Sequence, residues 1–322
     1  MLQQIFTPIE QEISTLNHSL EDIICHSDSA IDEILLNISF YKGKQLRPAM
    51  IFLSAAIVGN INPLTYTTAL VFELLHYSSL IHDDVVDNGQ KRHNQPTLHA
   101  ARGSKTAVLT GDYLLSKCMT LIAKSQNIFL LEKTAQVAQA MTTGELLQLV
   151  ESKDGLISEE QYLRIVNSKT ASLISACFEM GVASTQNDTE INAQWKNFGK
   201  ELGIMFQLKD DLLDFQSDEL SQKDVYKDIK EHKITLPTLI ALRQAPCSEQ
   251  KPLLDLYLHH QGKPEKIALL IQKITQYGGI AYTENLIKEK FVVCEDFVKA
   301  QKDSPYRDAL FALVQFIKKR KF

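Results

Sequence analysis

The sequence predicts an all-α protein, a single-domain helical bundle, on three observations. Apolar residues recur at three- and four-residue spacing through "TALVFELLHYSSLI", "TAVLTGDYLLSKCMTLIA", "TAQVAQAMTTGELLQLV" and "QYLRIVNSKTASLISACFEMGV", the period of helices that bury one face. Alternating, strand-like segments are hard to find, and Pro48, Pro63, Pro96, Pro237 and Pro305 stand at boundaries. No Pro/Gly/Ser-rich linker and no short-period repeat divides the 322 residues, so one domain over 1–322 with a bundle core is expected.

In chain order, "MLQQIFTPIEQEIS" has no basic segment leading into an apolar core, so no signal peptide is expected. "KGKQLRP" sets Lys44 and Arg47 three apart at a turn closed by Pro48. Asn62-Pro63 reads as an N-cap with proline in the first turn, and Gly89 as the stop of that helix. A polar connection follows from Asn88 to Thr97. A second, "QSDELSQKDVYKDIKEHK" from Gln216 to Lys233, is rich in lysine and aspartate and lacks glycine. Lys169 and Thr170 lie inside an otherwise apolar helical pattern, where a lysine commonly snorkels. Trp195 is expected to pack on its helix. His259 and His260 are read as a solvent-side pair, and "KKRKF" as a solvated helix end.

The composition, 44% hydrophobic and 23% charged, is that of an ordinary soluble globular protein. A net charge of -5 gives no general attraction to nucleic acid or to an anionic membrane. Any bound anion must therefore be met by local cations. The apolar runs are too short to span a bilayer. The five cysteines, Cys25, Cys118, Cys177, Cys247 and Cys294, are scattered without a C-x-x-C pair. That argues against a disulfide framework or thiolate metal site and for a reducing, cytoplasmic setting.

"LIHDDVVDNGQ" crowds Asp83, Asp84 and Asp87 into about one turn at a helix C-terminus. The helix dipole disfavours carboxylates there, and residues three and four apart repel on one face. "KDDLLDF" repeats the pattern with Asp210, Asp211 and Asp214. A divalent cation between the carboxylates would end the repulsion, and oxygen-only ligands suit magnesium bridging to phosphates. One such triad could be a solvated helix end, but two copies arise by chance in only about one of several hundred such chains. A calcium loop fails because Val85 and Val86 occupy ligand places. A di-iron bundle stays as a minor alternative, since "ELLH", Glu73 to His76, has its form but no second copy. Cations follow each triad, Arg92 after the first and Lys223 and Lys233 after the second. Metal and fixed cations together suit a diphosphate.

"SLIHDDVVDNG", "GIMFQLKDDLLDF", "GKQLRP", "AVLTGDYLL", "GELLQ", "KTASL", "ITLPTL" and "YGGIAY" together resemble, in order and over nearly the whole chain, the blocks of the trans-prenyl diphosphate synthases, or polyprenyl synthetases. The resemblance implies the isoprenoid synthase fold with its central active-site cavity. It implies head-to-tail condensation of an allylic diphosphate with isopentenyl diphosphate. Asp83, Asp84, Asp87, Asp210 and Asp214 would hold Mg2+ on the allylic diphosphate, with Asp211 supporting. Arg92, Lys169 and Lys233 would grip that diphosphate, joined by Lys223 of the lysine-rich loop. Lys44, Arg47 and His76 would bind isopentenyl diphosphate, and Thr170 and Gln207 would face the developing cation. The family further implies a homodimer, no stable membrane insertion, and at most a transient membrane contact as product leaves. A basic tail approaching the site would make Arg320 an added contact.

The chain departs from the family pattern at named places. His93 stands where a second arginine is usual, making one grip on isopentenyl diphosphate weaker or pH-dependent. Lys42 and Gln45 vary the "GGKRxRP" block, and Gln222, Tyr226 and His232 replace loop glycines. In the family the side chains four and five before the first aspartate floor the product pocket. Here they are Ser79 and Ser78, both small, so a product longer than geranylgeranyl is expected, with the floor near the Ala107 to Met119 helix. Tyr77 is expected to point elsewhere. Two further alternatives are a non-catalytic regulatory subunit and a class I terpene cyclase. Lys44 and Arg47, suited to a second diphosphate, favour the transferase over the cyclase.

Overall fold

The computed structural model describes residues 2–25, 29–35, 43–92, 95–151, 157–215, 226–230 and 233–320. Helices make up nearly all of them, as the periodicity requires. The N-terminal part carries α1 (Leu2–Phe6), α2 (Glu10–Cys25), α3 (Ser29–Leu35), α4 (Leu46–Val58) and α5 (Pro63–Val86). A two-residue hairpin, β1 (Lys91–Arg92) and β2 (Gln95–Pro96), leads to α6 (Leu98–Arg102), α7 (Ser104–Ser125) and α8 (Ile128–Glu151). Then come α9 (Glu159–Val166), a π-helical turn (Asn167–Ala171), α10 (Ser172–Ala183) and α11 (Thr189–Leu213). The remainder is α12 (Lys227–Lys230), α13 (Leu236–Gln244), α14 (Cys247–Leu258), α15 (Pro264–Gln276), α16 (Gly279–Lys299) and α17 (Pro305–Lys319). No helix among the described residues is long and apolar enough to cross a membrane.

These residues cluster into two compact units. The first comprises Met1–Ala138, Leu173–Gly199 and Lys299–Leu313. Its central helix α5 starts where expected. Asn62 Oδ1 accepts from Leu64 N at 2.9 Å and Thr65 N at 3.3 Å, while Asn62 N donates to Thr65 Oγ1 at 3.2 Å, a reciprocal capping box. The helix stop differs in one detail from the sequence reading. Asn88, at φ 50°, takes the left-handed position, and Gly89 follows it. Asn88 N donates to Val85 O at 3.2 Å and Gly89 N to Asp84 O at 2.8 Å, the Schellman pattern. Asparagine tolerates that backbone better than other side-chain-bearing residues.

α5 lies close against α7. Ser78 Oγ donates to the Gly111 carbonyl at 2.9 Å, and a Cβ on Gly111 would collide with the His82 imidazole. Phe178 stacks on Trp195 at 6.0 Å, and Phe198 meets both edge-on. Trp195 thus packs as expected, on a neighbour of its own helix and on α10. Lys133 and Glu179 form a buried ion pair at 2.8 Å.

The second unit comprises Gln139–Ser172, Lys200–Val298 and Val314–Phe322. Phe215, Ile229, Leu242, Leu253, Tyr257, Leu270 and Ile274 form one core within it. Here one expectation is corrected. His259 is exposed, but His260 is buried. Gly262 N donates to His260 Nδ1 at 2.9 Å, so Nε2 carries the proton and donates to Ile229 O at 2.9 Å. His260 is therefore a satisfied core histidine that ties the α14–α15 connection to α12.

Candidate active site

Each aspartate triad resolves into a pair and a single residue by helical geometry. In the first, Asp83 and Asp87 lie four apart and half-buried, while Asp84, about 100° around the helix, is buried at 4% exposure. Asp84 is held by Arg92 from β1, with Nη2 to Oδ1 at 2.8 Å and Nε to Oδ1 and Oδ2 at 3.1 and 3.3 Å. The connection after the triad is likewise ordered, since Thr97 Oγ1 donates to Gly89 O at 2.6 Å and caps α6 through Ala100 N. In the same unit Arg47 is half-buried, Lys44 is exposed, and His76 sits near the charges of Arg47 and Arg92. Burial first, then those two guanidinium groups, hold His76 well below its ordinary value, so it is a neutral imidazole at pH 7. Glu73, one turn earlier, is raised by burial despite Arg47 and a hydrogen bond from Tyr77. Tyr77 is buried and so points away from solvent towards Glu73.

The second triad follows the same rule in its own unit. Asp210 and Asp214 are half-buried and Asp211 is buried at 2% exposure. Asp211 accepts from the Tyr162 hydroxyl, from Gln207 Nε2 at 3.0 Å and from Leu236 N at 3.4 Å. Burial pushes its carboxyl up to about 6, against the pull of those donors. Both of its oxygens are thus engaged by the protein. Asp214 Oδ2 accepts from Asp228 N at 3.1 Å, and Asp210 Oδ1 lies 2.7 Å from Arg320 Nη2. The Arg320 guanidinium also lies over the Phe206 ring at 4.6 Å. "KKRKF" is therefore not wholly solvated, because Arg320 is largely buried at this carboxylate.

Lys169 and Thr170 sit on the π-helical turn, a distortion that often marks functional positions. It is gripped from two sides. Gly144 on α8 and Gly203 on α11 each leave no room for a Cβ, which would lie 2.7 Å from Lys169 N and 2.6 Å from Ala171 Cα respectively. Lys169 Nζ donates to Gln148 Oε1 at 3.0 Å and pairs with Glu145. Thr170 Oγ1 donates to Gln207 Oε1 at 2.8 Å. Lys169, Thr170, Gln207, Asp211 and Lys233 all line a cavity of about 220 Å³, whose walls include Ile165, Val166, Ile234 and Leu254.

Lys223, His93, Lys42, Gln222 and His232 lie outside the described residues. Tyr226 takes a left-handed backbone, at φ 63°. The sequence reading missed Glu145, Gln148 and Tyr162 as site residues. The first two stood in the quoted "GELLQ" block, whereas nothing near Tyr162 signalled its partner.

Among the described residues no three His, Cys, Asp or Glu side chains already converge on one metal position. Magnesium does not require such a cage, since it keeps waters and binds through one or two carboxylates plus phosphate. The half-buried pairs Asp83/Asp87 and Asp210/Asp214 are oxygen donors of that kind and fit a hard divalent cation.

The polyprenyl synthetase family model matches residues 28–274. An octaprenyl diphosphate synthase of Haemophilus influenzae is 30% identical over 272 residues, covering 84% of this chain and 82% of that one. A crystal structure of a polyprenyl synthase from Caulobacter crescentus, complexed with calcium and isoprenyl diphosphate, superposes with a TM-score of 0.91 at 27% identity, covering 100% of this chain and 98% of its own. A geranylgeranyl pyrophosphate synthase from Bacteroides thetaiotaomicron superposes with a TM-score of 0.84 at 30% identity, covering 99% of each chain. With its helical architecture, its two aspartate motifs and this match over most of its length, the chain belongs to the polyprenyl synthetase family of prenyl-transferring enzymes.

Proposed function

We propose that the protein condenses an allylic diphosphate with isopentenyl diphosphate, using magnesium, to give an all-trans polyprenyl diphosphate longer than geranylgeranyl. The observation that carries this is the meeting of Lys169, Lys233, Thr170 and Gln207 on one cavity with apolar walls. Cations for a diphosphate and neutral oxygens for a carbocation stand there together.

In this reading Asp83, Asp87, Asp210 and Asp214 would hold the magnesium, which would supply charge neutralisation for the departing allylic diphosphate. Asp84 supports the first pair through Arg92, and Asp211 stands behind the second without holding metal itself. Arg92, Lys169, Lys233 and the loop residue Lys223 grip the allylic diphosphate, and preorganised cations of this kind act without solvent reorganisation. Lys44, Arg47 and the neutral His76 bind isopentenyl diphosphate. Ionisation leaves an allylic cation facing the Thr170 and Gln207 oxygens. The isopentenyl double bond attacks it, and the proton then lost goes to the departed diphosphate. Apolar walls keep water from the cation.

The small side chains Ser78 and Ser79 support a long product, as does likeness to an octaprenyl diphosphate synthase. Ser78 hydrogen-bonds to Gly111 on α7, which agrees with a floor set by that helix. The chain acts as one domain over 1–322, in the cytoplasm, and as a homodimer. Exposed Leu109 and Met119 on α7 and Ile128 and Leu131 on α8 supply apolar surface for pairing.

The test incubates purified protein with magnesium, labelled isopentenyl diphosphate and farnesyl diphosphate, and resolves products by length. A ladder running well beyond geranylgeranyl is expected. A single product of geranylgeranyl length or shorter would overturn the length assignment. Product formed without isopentenyl diphosphate would indicate a cyclase. No incorporation by folded protein with several primers would point to a non-catalytic subunit.

A further inference from the structure

We propose, resting on the prenyl-transfer reading, that Asp211 is a positioning residue: it sets the direction of the Gln207 amide so that the cavity wall presents oxygen lone pairs, not N–H groups. Asp211 Oδ2 is met by the Tyr162 hydroxyl and by Leu236 N at 3.4 Å, and Oδ1 by Gln207 at 3.0 Å. Both carboxylate oxygens serve there as acceptors, and the Gln207 atom that faces Oδ1 is Nε2, the NH2 group. That leaves Gln207 Oε1 to accept from Thr170 Oγ1 at 2.8 Å. The Thr170 hydroxyl, its proton directed at Gln207, keeps its own lone pairs. Both side chains line the cavity. A developing allylic cation there is stabilised by these oxygens and would be repelled by a reversed amide. Asp211 acts through Gln207 without touching substrate, and Tyr162 and Leu236 N–H fix the carboxylate that does the steering.

Asp211→Asn tests this because it keeps size and shape. Leu236 N–H can only donate and so demands oxygen at the Oδ2 place, where the Tyr162 hydroxyl also donates, so the introduced NH2 falls opposite Gln207. Gln207 then turns its oxygen inward and its NH2 toward Thr170 and the cavity. The expected result is a fall in kcat of about 100-fold, with KM for both substrates held within about threefold. Calorimetric binding of inorganic diphosphate with magnesium stays unchanged. Adding Gln207→Glu to Asp211→Asn restores a carboxylate facing an amide, with acceptors again toward Thr170, and recovers most of the lost kcat.

A prenyl ammonium compound mimicking the cation, bound together with inorganic diphosphate, gives a readout without turnover. Its affinity is expected to fall about tenfold in Asp211→Asn, equivalent to ~1.4 kcal/mol, and to return in the double variant. Weakened magnesium-dependent diphosphate binding in Asp211→Asn would overturn the proposal in favour of a metal ligand. Lowered thermal stability without rescue by Gln207→Glu would overturn it in favour of a purely structural role. If the unaltered protein makes no prenyl product while ammonium binding follows the expected pattern, the catalytic reading fails and the positioning role of Asp211 stands.

Discussion

Replacing Gly144 by alanine should separate stability from catalysis. The added Cβ would lie 2.7 Å from Lys169 N, 3.0 Å from Lys169 Cβ and 3.1 Å from Lys169 Cα. Two of these atoms are backbone, so no rotamer change relieves the contact. Restoring an ordinary separation of about 3.5 Å moves α8 and the π-helical turn apart by roughly 0.8 Å. Overpacking of this kind costs about 1–3 kcal/mol, while alanine in place of glycine within a helix returns about 1 kcal/mol. The net change is about 0–2 kcal/mol, a shift of a few degrees in Tm for a chain of this size. The turn carries Lys169 and Thr170, and misplacement approaching 1 Å lowers turnover on the order of 10- to 100-fold. Initial rates of isopentenyl diphosphate incorporation, measured beside a thermal melt, check both numbers. An alanine variant with wild-type kcat would refute the idea that close approach of α8 sets the position of the turn. A Tm loss large enough to unfold the protein at assay temperature would refute the estimate of compensation.

Arg320→Gln removes the guanidinium that pairs with Asp210, so half-maximal activity should need severalfold less magnesium, read from a magnesium titration of initial rate; an unchanged or raised requirement contradicts competition at that carboxylate. Lys133→Met strands Glu179 in a site where both side chains are about 10% exposed or less, and removing one partner of such a pair costs about 3–5 kcal/mol. Adding Glu179→Leu should recover most of that loss in denaturant melts. Burial pushes the Cys118, Cys177 and Cys294 thiols up to about 12, so native protein at pH 8 should leave them unalkylated by iodoacetamide while exposed Cys247 reacts. Peptide mass spectrometry reads this directly, and early labelling of Cys177 would contradict its burial.

The two DDxxD motifs show how local sequence information divides from tertiary information. Asp83 with Asp87, and Asp210 with Asp214, share a helix face because four residues make about one turn. Their pairing follows from spacing alone, as do the helices that carry them, the Asn62 cap and the concentration of cations after each motif. All of these depend on groups a few residues apart. The inward turn of Asp84 and Asp211 was not legible from the same letters, since spacing sets the second aspartate apart from the pair but does not say which side faces the interior. For Asp84 the deciding partner is Arg92, eight residues on. For Asp211 it is Tyr162, 49 residues back, together with a backbone N–H of α13.

The same limit explains His260, read as solvent-facing from its polar neighbours. Its burial depends on Ile229, 31 residues away, whose carbonyl it satisfies. It also explains the π-helical turn at Lys169 and Thr170, where Gly144 and Gly203 admit the neighbouring helices. What the sequence by itself determined is the helical class, the paired carboxylates and the membership those motifs imply, because periodicity and spacing are written within single turns. Only the tertiary structure decided which carboxylates face inward, how Lys169 is gripped and which way Gln207 points. Those depend on donors and acceptors brought together from distant segments, where an unpaired buried polar group is too unfavourable to persist.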